Sequence, residues 1–118
     1  MRTLAVTAIV MSLINAAAWA ADPVGSYRVN GSNPNNGGSY SGTVTVEKTG
    51  QTYKVTWVFA DQTTHIGTGI GNDHFIAVSY HSANMTGLAL YGDAGSDWQG
   101  IWTYQGGTET GTENWSRQ

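Results

Sequence analysis

From residue 25 onward the chain alternates apolar and polar positions in short runs, and clusters of Gly, Asn, Asp and Thr separate the runs. A period of two is the spacing of a β-strand with one face on a core. The clearest run is Thr52 to Phe59, where Tyr53, Val55, Trp57 and Phe59 alternate with Thr52, Lys54 and Thr56. Asp97 to Tyr104 repeats the pattern with Trp98, Gly100, Trp102 and Tyr104. Read in this way, the sequence predicts eight strands. The other six run from about Gly25 to Asn30, Ser39 to Glu47, Thr64 to Ile70, His74 to Tyr80, Thr86 to Tyr91 and Thr108 to Trp115. The sixth carries Leu88 and Leu90. The eighth has no plainly apolar face. No stretch of ten or more residues carries helical apolar spacing.

Short loops between evenly spaced strands predict a single-domain, all-β antiparallel meander. An open meander of this length leaves two exposed edges, and closure removes them. Eight strands enclose an interior that side chains just fill or that holds one small ligand. Gly67, Gly69 and Gly71 strip one face of the fourth strand, which permits a sharp bend or close backbone approach. The expected architecture is therefore an eight-stranded up-and-down barrel, with a β-sandwich as the alternative.

The first twenty residues differ from the rest. Arg2 precedes a mostly apolar stretch from Leu4 to Ile14, and Ala18-Trp19-Ala20 places small residues where signal peptidase requires them. The apolar run is shorter than the ~20 residues of a bilayer span. Residues 1–20 are expected to be a signal peptide cleaved after Ala20, leaving a barrel domain from 21 to 118 that is periplasmic or secreted. An exported chain without cysteine must hold its fold by its core alone, which fits a bacterial host. Eight acidic residues face Arg28, Lys48, Lys54 and Arg117, so nucleic acid is not an expected partner.

Catalytic chemistry is thinly represented. There is no Gly-x-Ser-x-Gly elbow and no thiol. Glu109 and Glu113, taken on one strand, stand ~13 Å apart at ~3.3 Å per residue, beyond the ~6.5–9.5 Å of an inverting glycosidase pair. Either carboxylate could still pair across strands, or be buried and hydrogen-bonded at a barrel end. His65, His74 and His81 match no common metal-ligand spacing, so no metal or cofactor is expected.

The aromatic residues are the remaining signal. Trp57, Trp98, Trp102 and Trp115, with Tyr40, Tyr53, Tyr80, Tyr91 and Tyr104, either form a core or line a ligand cavity. The candidate ligand-binding residues are Trp57, Trp98, Trp102, Tyr53 and Glu113.

An ordered set of motifs spans almost the whole region beyond residue 21. It comprises Gly25-x-Tyr27-x-Val29-x-Gly31-x-Asn33-Pro34, Tyr40-x-Gly42-x-Val44, Tyr53-x-Val55-x-Trp57, Gly67-x-Gly69-Ile70, Val78-x-Tyr80, Tyr91, Gly100-x-Trp102 and Gly111-x-Glu113. It resembles the small exported bacterial proteins known as fibronectin-binding proteins. The chain departs from that pattern in its duplicated Gly-Thr-Glu, at 107–109 and 111–113, and in Trp115 where an aliphatic residue is expected. The resemblance implies a binding protein whose partner is a host matrix protein such as fibronectin. The alternatives are a carrier of a small apolar ligand, of the lipocalin or avidin-like barrel type, and an enzyme acting on envelope sugars.

Overall fold

A computed structural model of the chain describes residues 22–118. The expected signal peptide lies outside the described residues. Eight strands form one closed antiparallel barrel in sequence order: β1 (Gly25–Ser32), β2 (Ser39–Thr49), β3 (Thr52–Phe59), β4 (Thr64–Gly71), β5 (Phe75–Ser82), β6 (Met85–Ala94), β7 (Asp97–Tyr104) and β8 (Gly111–Arg117). A short 3-10 turn, Pro34–Asn36, lies between β1 and β2. Pairing of β1 with β8, Val29 opposite Trp115, closes the ring. Each strand pairs on both sides, so the barrel has no free edge for another chain to extend.

The predicted limits of β3 and β7 coincide with the observed ones. β5 begins at Phe75 rather than His74, because Asn72 Oδ1 accepts from the His74 and Phe75 amides and holds the turn open to that point. β8 begins at Gly111, three residues later than predicted, and runs on to Arg117. Glu109 consequently sits in the β7–β8 loop and shares no strand with Glu113. Leu88 and Leu90, the apolar positions of β6, point outward and are 56% and 50% exposed. The inward face of β6 is Gly87, Ala89 and Tyr91. Gly87 is bare because the Tyr80 ring of the neighbouring strand occupies the space above it.

That complementarity repeats around the barrel. Inward-facing residues form rows across the strands, and in several rows a large side chain stands beside a glycine. One row runs Tyr91, Gly100, Glu113, Gly31 and Tyr40. A Cβ on Gly100 would strike the Tyr91 ring, and one on Gly31 would strike the Tyr40 ring. Gly87 and Gly111 give the same clearance to Tyr80 and Trp102. A narrow barrel can hold this many aromatic rings only if its wall is locally free of side chains.

The interior divides along its axis. At the end carrying the β2–β3, β4–β5 and β6–β7 turns, Tyr27, Trp98 and Trp115 are fully buried. Arg117 seals this end. Its guanidinium donates to the carbonyls of Asp22 (2.8 Å), Val24 (3.1 Å) and Ser96 (3.0 Å) and to the Tyr27 hydroxyl (2.7 Å). It also lies 4.7 Å from the Tyr27 ring centre, within cation–π range. Tyr27 in turn donates to the Pro23 carbonyl at 2.6 Å. The opposite end is open.

Candidate functional site

The open end leads to a cavity of about 500 Å³, within the size range of small-molecule sites. Its rim comes from the β1–β2, β3–β4 and β5–β6 loops and the end of β7, through Asn33, Asp61, Thr63, Met85 and Tyr104. Its wall is aromatic. Ring centroids follow one another from Tyr40 to Phe59 (5.4 Å), Phe59 to His65 (5.0 Å), His65 to Tyr80 (5.7 Å), Tyr80 to Trp102 (6.4 Å) and Trp102 back to Tyr40 (6.1 Å). The five rings therefore close a girdle around the barrel. All but the His65–Tyr80 pair meet edge to face, the arrangement that the ring quadrupoles favour. The girdle crosses β8 and β1 where Gly111 and Gly31 leave the wall bare.

Below the girdle lies Glu113, 4% exposed and the one charged side chain buried in the interior among the described residues. Its position follows from the row described above. Gly100 and Gly31 flank it on β7 and β1, and Tyr91 and Tyr40 reach over those glycines from either side. Tyr91 donates to Oε1 at 2.7 Å and Tyr40 to Oε2 at 2.5 Å. Two indoles add N–H donors to Oε1, Trp57 at 2.9 Å and Trp115 at 2.8 Å. A buried carboxylate costs several kcal/mol unless it is paired and hydrogen-bonded. Here four neutral donors converge on it, the arrangement that suits an ionised carboxylate, which only accepts.

The surrounding hydroxyls are held in their donating form. Burial, and then the Glu113 charge, push the Tyr40 and Tyr91 hydroxyls far above the ordinary tyrosine value of 10. Tyr80 is raised by burial first, with Tyr104 and Glu113 adding to it. Its hydroxyl donates to the Thr103 carbonyl at 3.4 Å. Burial lowers His65 below its ordinary 6.5, which favours the neutral ring at pH 7, and the Thr64 backbone, Glu113 and Asp61 oppose this only in part. His65 Nδ1 is buried without a hydrogen-bond partner, and so is Trp102 Nε1 beside the Tyr40 hydroxyl.

Of the five residues singled out from the sequence, Trp57, Trp102 and Glu113 line the cavity. Trp98 and Tyr53 do not. Trp98 packs in the sealed end, its N–H near the Tyr27 oxygen without reaching hydrogen-bond geometry. Tyr53 lies by the β2–β3 turn, with Lys48 Nζ 4.3 Å from its ring centre. Alternation assigns these residues to the inward face but says nothing about their height along the barrel axis. Phe59 and His65 belong to the site and were not selected. Phe59 ends the third alternating run and so is visible in the sequence, whereas the inward positions that follow His65 are Gly67 and Gly69, so no apolar alternation marks its face.

Glu109, set aside with Glu113 as a carboxylate pair, is exposed at the rim. The Asn35 amide, with its nitrogen toward Glu109, donates to both carboxylate oxygens at 2.7 and 2.5 Å and links the β1–β2 loop to the β7–β8 loop. No family model matches this sequence, and no curated protein is detectably similar to it. The functional reading accordingly rests on the site.

Proposed function

We propose that the protein binds a small organic ligand in the open end of its barrel, as an exported carrier or scavenger rather than an enzyme. The observation that carries this reading is the cavity of about 500 Å³ enclosed by the aromatic girdle above the buried Glu113. Mostly apolar walls with a few convergent polar groups are the usual composition of a ligand site. Catalysis fits the geometry less well. Glu113 already accepts four hydrogen bonds, and Glu109 engages Asn35 at the rim rather than opposing it. Export through the 1–20 leader would put the cavity in contact with solutes of the periplasm or the medium.

The test is a fluorescence titration of the purified protein with an organic extract of the host envelope, followed by 2-phenylethanol as a defined neutral aromatic probe. Trp57 and Trp102 line the cavity, so a saturable quench or blue shift is expected, and it should be lost in the Trp57→Phe, Trp102→Phe double variant. An unresponsive protein, with emission already blue, would overturn the reading.

A second reading keeps the class of partner that the fibronectin resemblance implies. One outward row runs Ile70, Ala77, Leu90 and Ile101 across β4 to β7, and Ile70 is 61% exposed. Leu88 and Phe75 extend this apolar face. Uncharged faces of this kind are used for protein contact. Retention of fibronectin by the immobilised protein, abolished by Leu90→Asp, is the expected result. Passage of fibronectin through such a column would remove this reading without affecting the first.

A further inference from the structure

We infer that the cavity selects a small organic cation: an alkylammonium or guanidinium head on an apolar or aromatic body. The inference rests on the proposed ligand-binding role and adds the charge and hydrogen-bonding sense of the ligand.

The first observation is an unbalanced charge. Glu113 sits beneath the girdle, and its partners Tyr40, Tyr91, Trp57 and Trp115 are all neutral. The basic side chains of the described region are elsewhere: Arg28 and Lys54 are exposed on the outside of the barrel, Lys48 is exposed beside Tyr53 at the β2–β3 turn, and Arg117 is occupied at the sealed end. His65, the other titratable nitrogen of the wall, is held neutral by burial. Asp61 adds a second carboxylate at the rim. An anionic ligand would thus meet like charge at both ends of its path and find no cation.

The second observation is the direction of the hydroxyl protons. A tyrosine hydroxyl has one proton to donate and lone pairs that accept. Tyr40 and Tyr91 spend their protons on Glu113, and Tyr80 spends its own on the Thr103 carbonyl. Three of the four donors to Glu113 fall on Oε1 and one on Oε2, so Oε2 keeps accepting capacity on the Tyr40 side. The floor around Glu113 accordingly offers acceptors, and the Trp102 N–H beside the Tyr40 hydroxyl is the unpartnered indole donor of the cavity wall. A ligand head rich in N–H groups satisfies these acceptors, whereas a carboxylate or phosphate meets the Glu113 charge with no cation to balance it.

The third observation is the girdle itself. Ring faces carry negative electrostatic potential, and aromatic enclosures hold ammonium groups by cation–π attraction, worth roughly 0.5–2 kcal/mol per contact depending on desolvation. Tyr40, Trp57, Tyr80 and Trp102 surround the space directly over the carboxylate.

The experiment uses three probes of one shape: 2-phenylethylammonium, neutral 2-phenylethanol and anionic 3-phenylpropanoate. Each is titrated into the wild-type protein by calorimetry and tryptophan fluorescence at pH 7 and low salt. The cation is expected to bind at least tenfold tighter than the alcohol, and the anion more weakly than the alcohol. Tyr40→Phe removes one donor to Oε2 while keeping the ring and the charge, and should preserve or increase the cation preference. Phe59→Leu opens the girdle and should reduce that preference several-fold with little effect on folding. Equal affinity for cation and alcohol would overturn the charge inference and leave the ligand-binding reading intact, and so would preference for the anion. Binding of none of the three probes would overturn both.

Discussion

The two ends of this barrel are built from the same kinds of residue and put to opposite uses. At the sealed end, the turns that need a left-handed residue use glycine, with Gly50 and Gly95 at φ 64° and 73°. Arg117 then ties both ends of the described chain to the β6–β7 turn. At the open end, four non-glycine residues take positive φ: Asn35 and Asn36 before β2, Gln62 before β4 and Ala83 before β6. Backbone strain of this kind concentrates at ligand and switch regions. The sealed end is thus relaxed, dry and fixed, whereas the open end combines strained loops with an unfilled interior. Stability and recognition are spatially separated, and Glu113 stands at the boundary between them.

The strongest way to break that separation is to remove the boundary. Glu113→Ala would leave the Tyr40, Tyr91, Trp57 and Trp115 donors unpaired in the interior. Urea denaturation should show a loss of about 3–5 kcal/mol, the usual cost of breaking a buried polar network on one side. A loss below about 1 kcal/mol would mean that solvent reaches these donors and that the boundary is not dry.

Alkali acts on the same network. Unfolded tyrosines release their protons near pH 10, whereas burial keeps Tyr40, Tyr80 and Tyr91 protonated in the fold. The stabilisation is therefore complete below pH 10 and is lost as the pH rises above it. Absorbance at the phenolate band should show these three hydroxyls ionising only together with loss of the folded circular dichroism spectrum. Early, separate ionisation of all three would contradict the burial.

Gly100→Val tests the packing that positions Tyr91. Its side chain would meet the Tyr91 ring and the Leu90 carbonyl, and overpacking of this kind costs about 1–3 kcal/mol. Near-ultraviolet dichroism, which reads aromatic packing, should weaken as well. At the sealed end, Arg117→Ala should cost about 1–2 kcal/mol, since the side chain is only half-buried and its bonds are partly screened. Affinity for a mouth ligand should stay within twofold of wild type. If it changed as much as stability, the two ends would be coupled.

The smallest effect is expected from Ala83→Gly. It relieves a side chain at φ 46° and should raise the thermal midpoint slightly, by the equivalent of about 1 kcal/mol or less.

The strands were legible because alternation is a local signal. β3 was the easiest to read, since Tyr53, Val55 and Trp57 all point inward and polar residues separate them. β6 was misleading for a physical reason. Its apolar leucines face outward, and two of its three inward positions, Gly87 and Ala89, are small, Gly87 because Tyr80 needs the room. β8 showed no apolar face because its inward positions are Gly111, Glu113 and Trp115. A carboxylate there makes sense only with Tyr40 and Tyr91 beside it, residues 73 and 22 positions away. The role of Glu113 is therefore a property of register across five strands, β6 to β8 and β1 to β2, which a single sequence does not display. The height of a residue along the axis is equally hidden, which is why Trp98 and Trp102 look equivalent in β7 and occupy different ends.

The pairing of each large ring with a bare position on the adjacent strand also constrains how such a barrel can change over evolutionary time. Neither Gly31 nor Gly100 can readily gain a side chain, because a Cβ there would meet the Thr112 or Leu90 carbonyl as well as the Tyr40 or Tyr91 ring, so shrinking the ring does not free the position. Divergent copies should therefore vary at the rings while keeping the glycines beside them. A library randomised at Gly31 and Tyr40 jointly should yield folded members that vary at Tyr40 and retain Gly31.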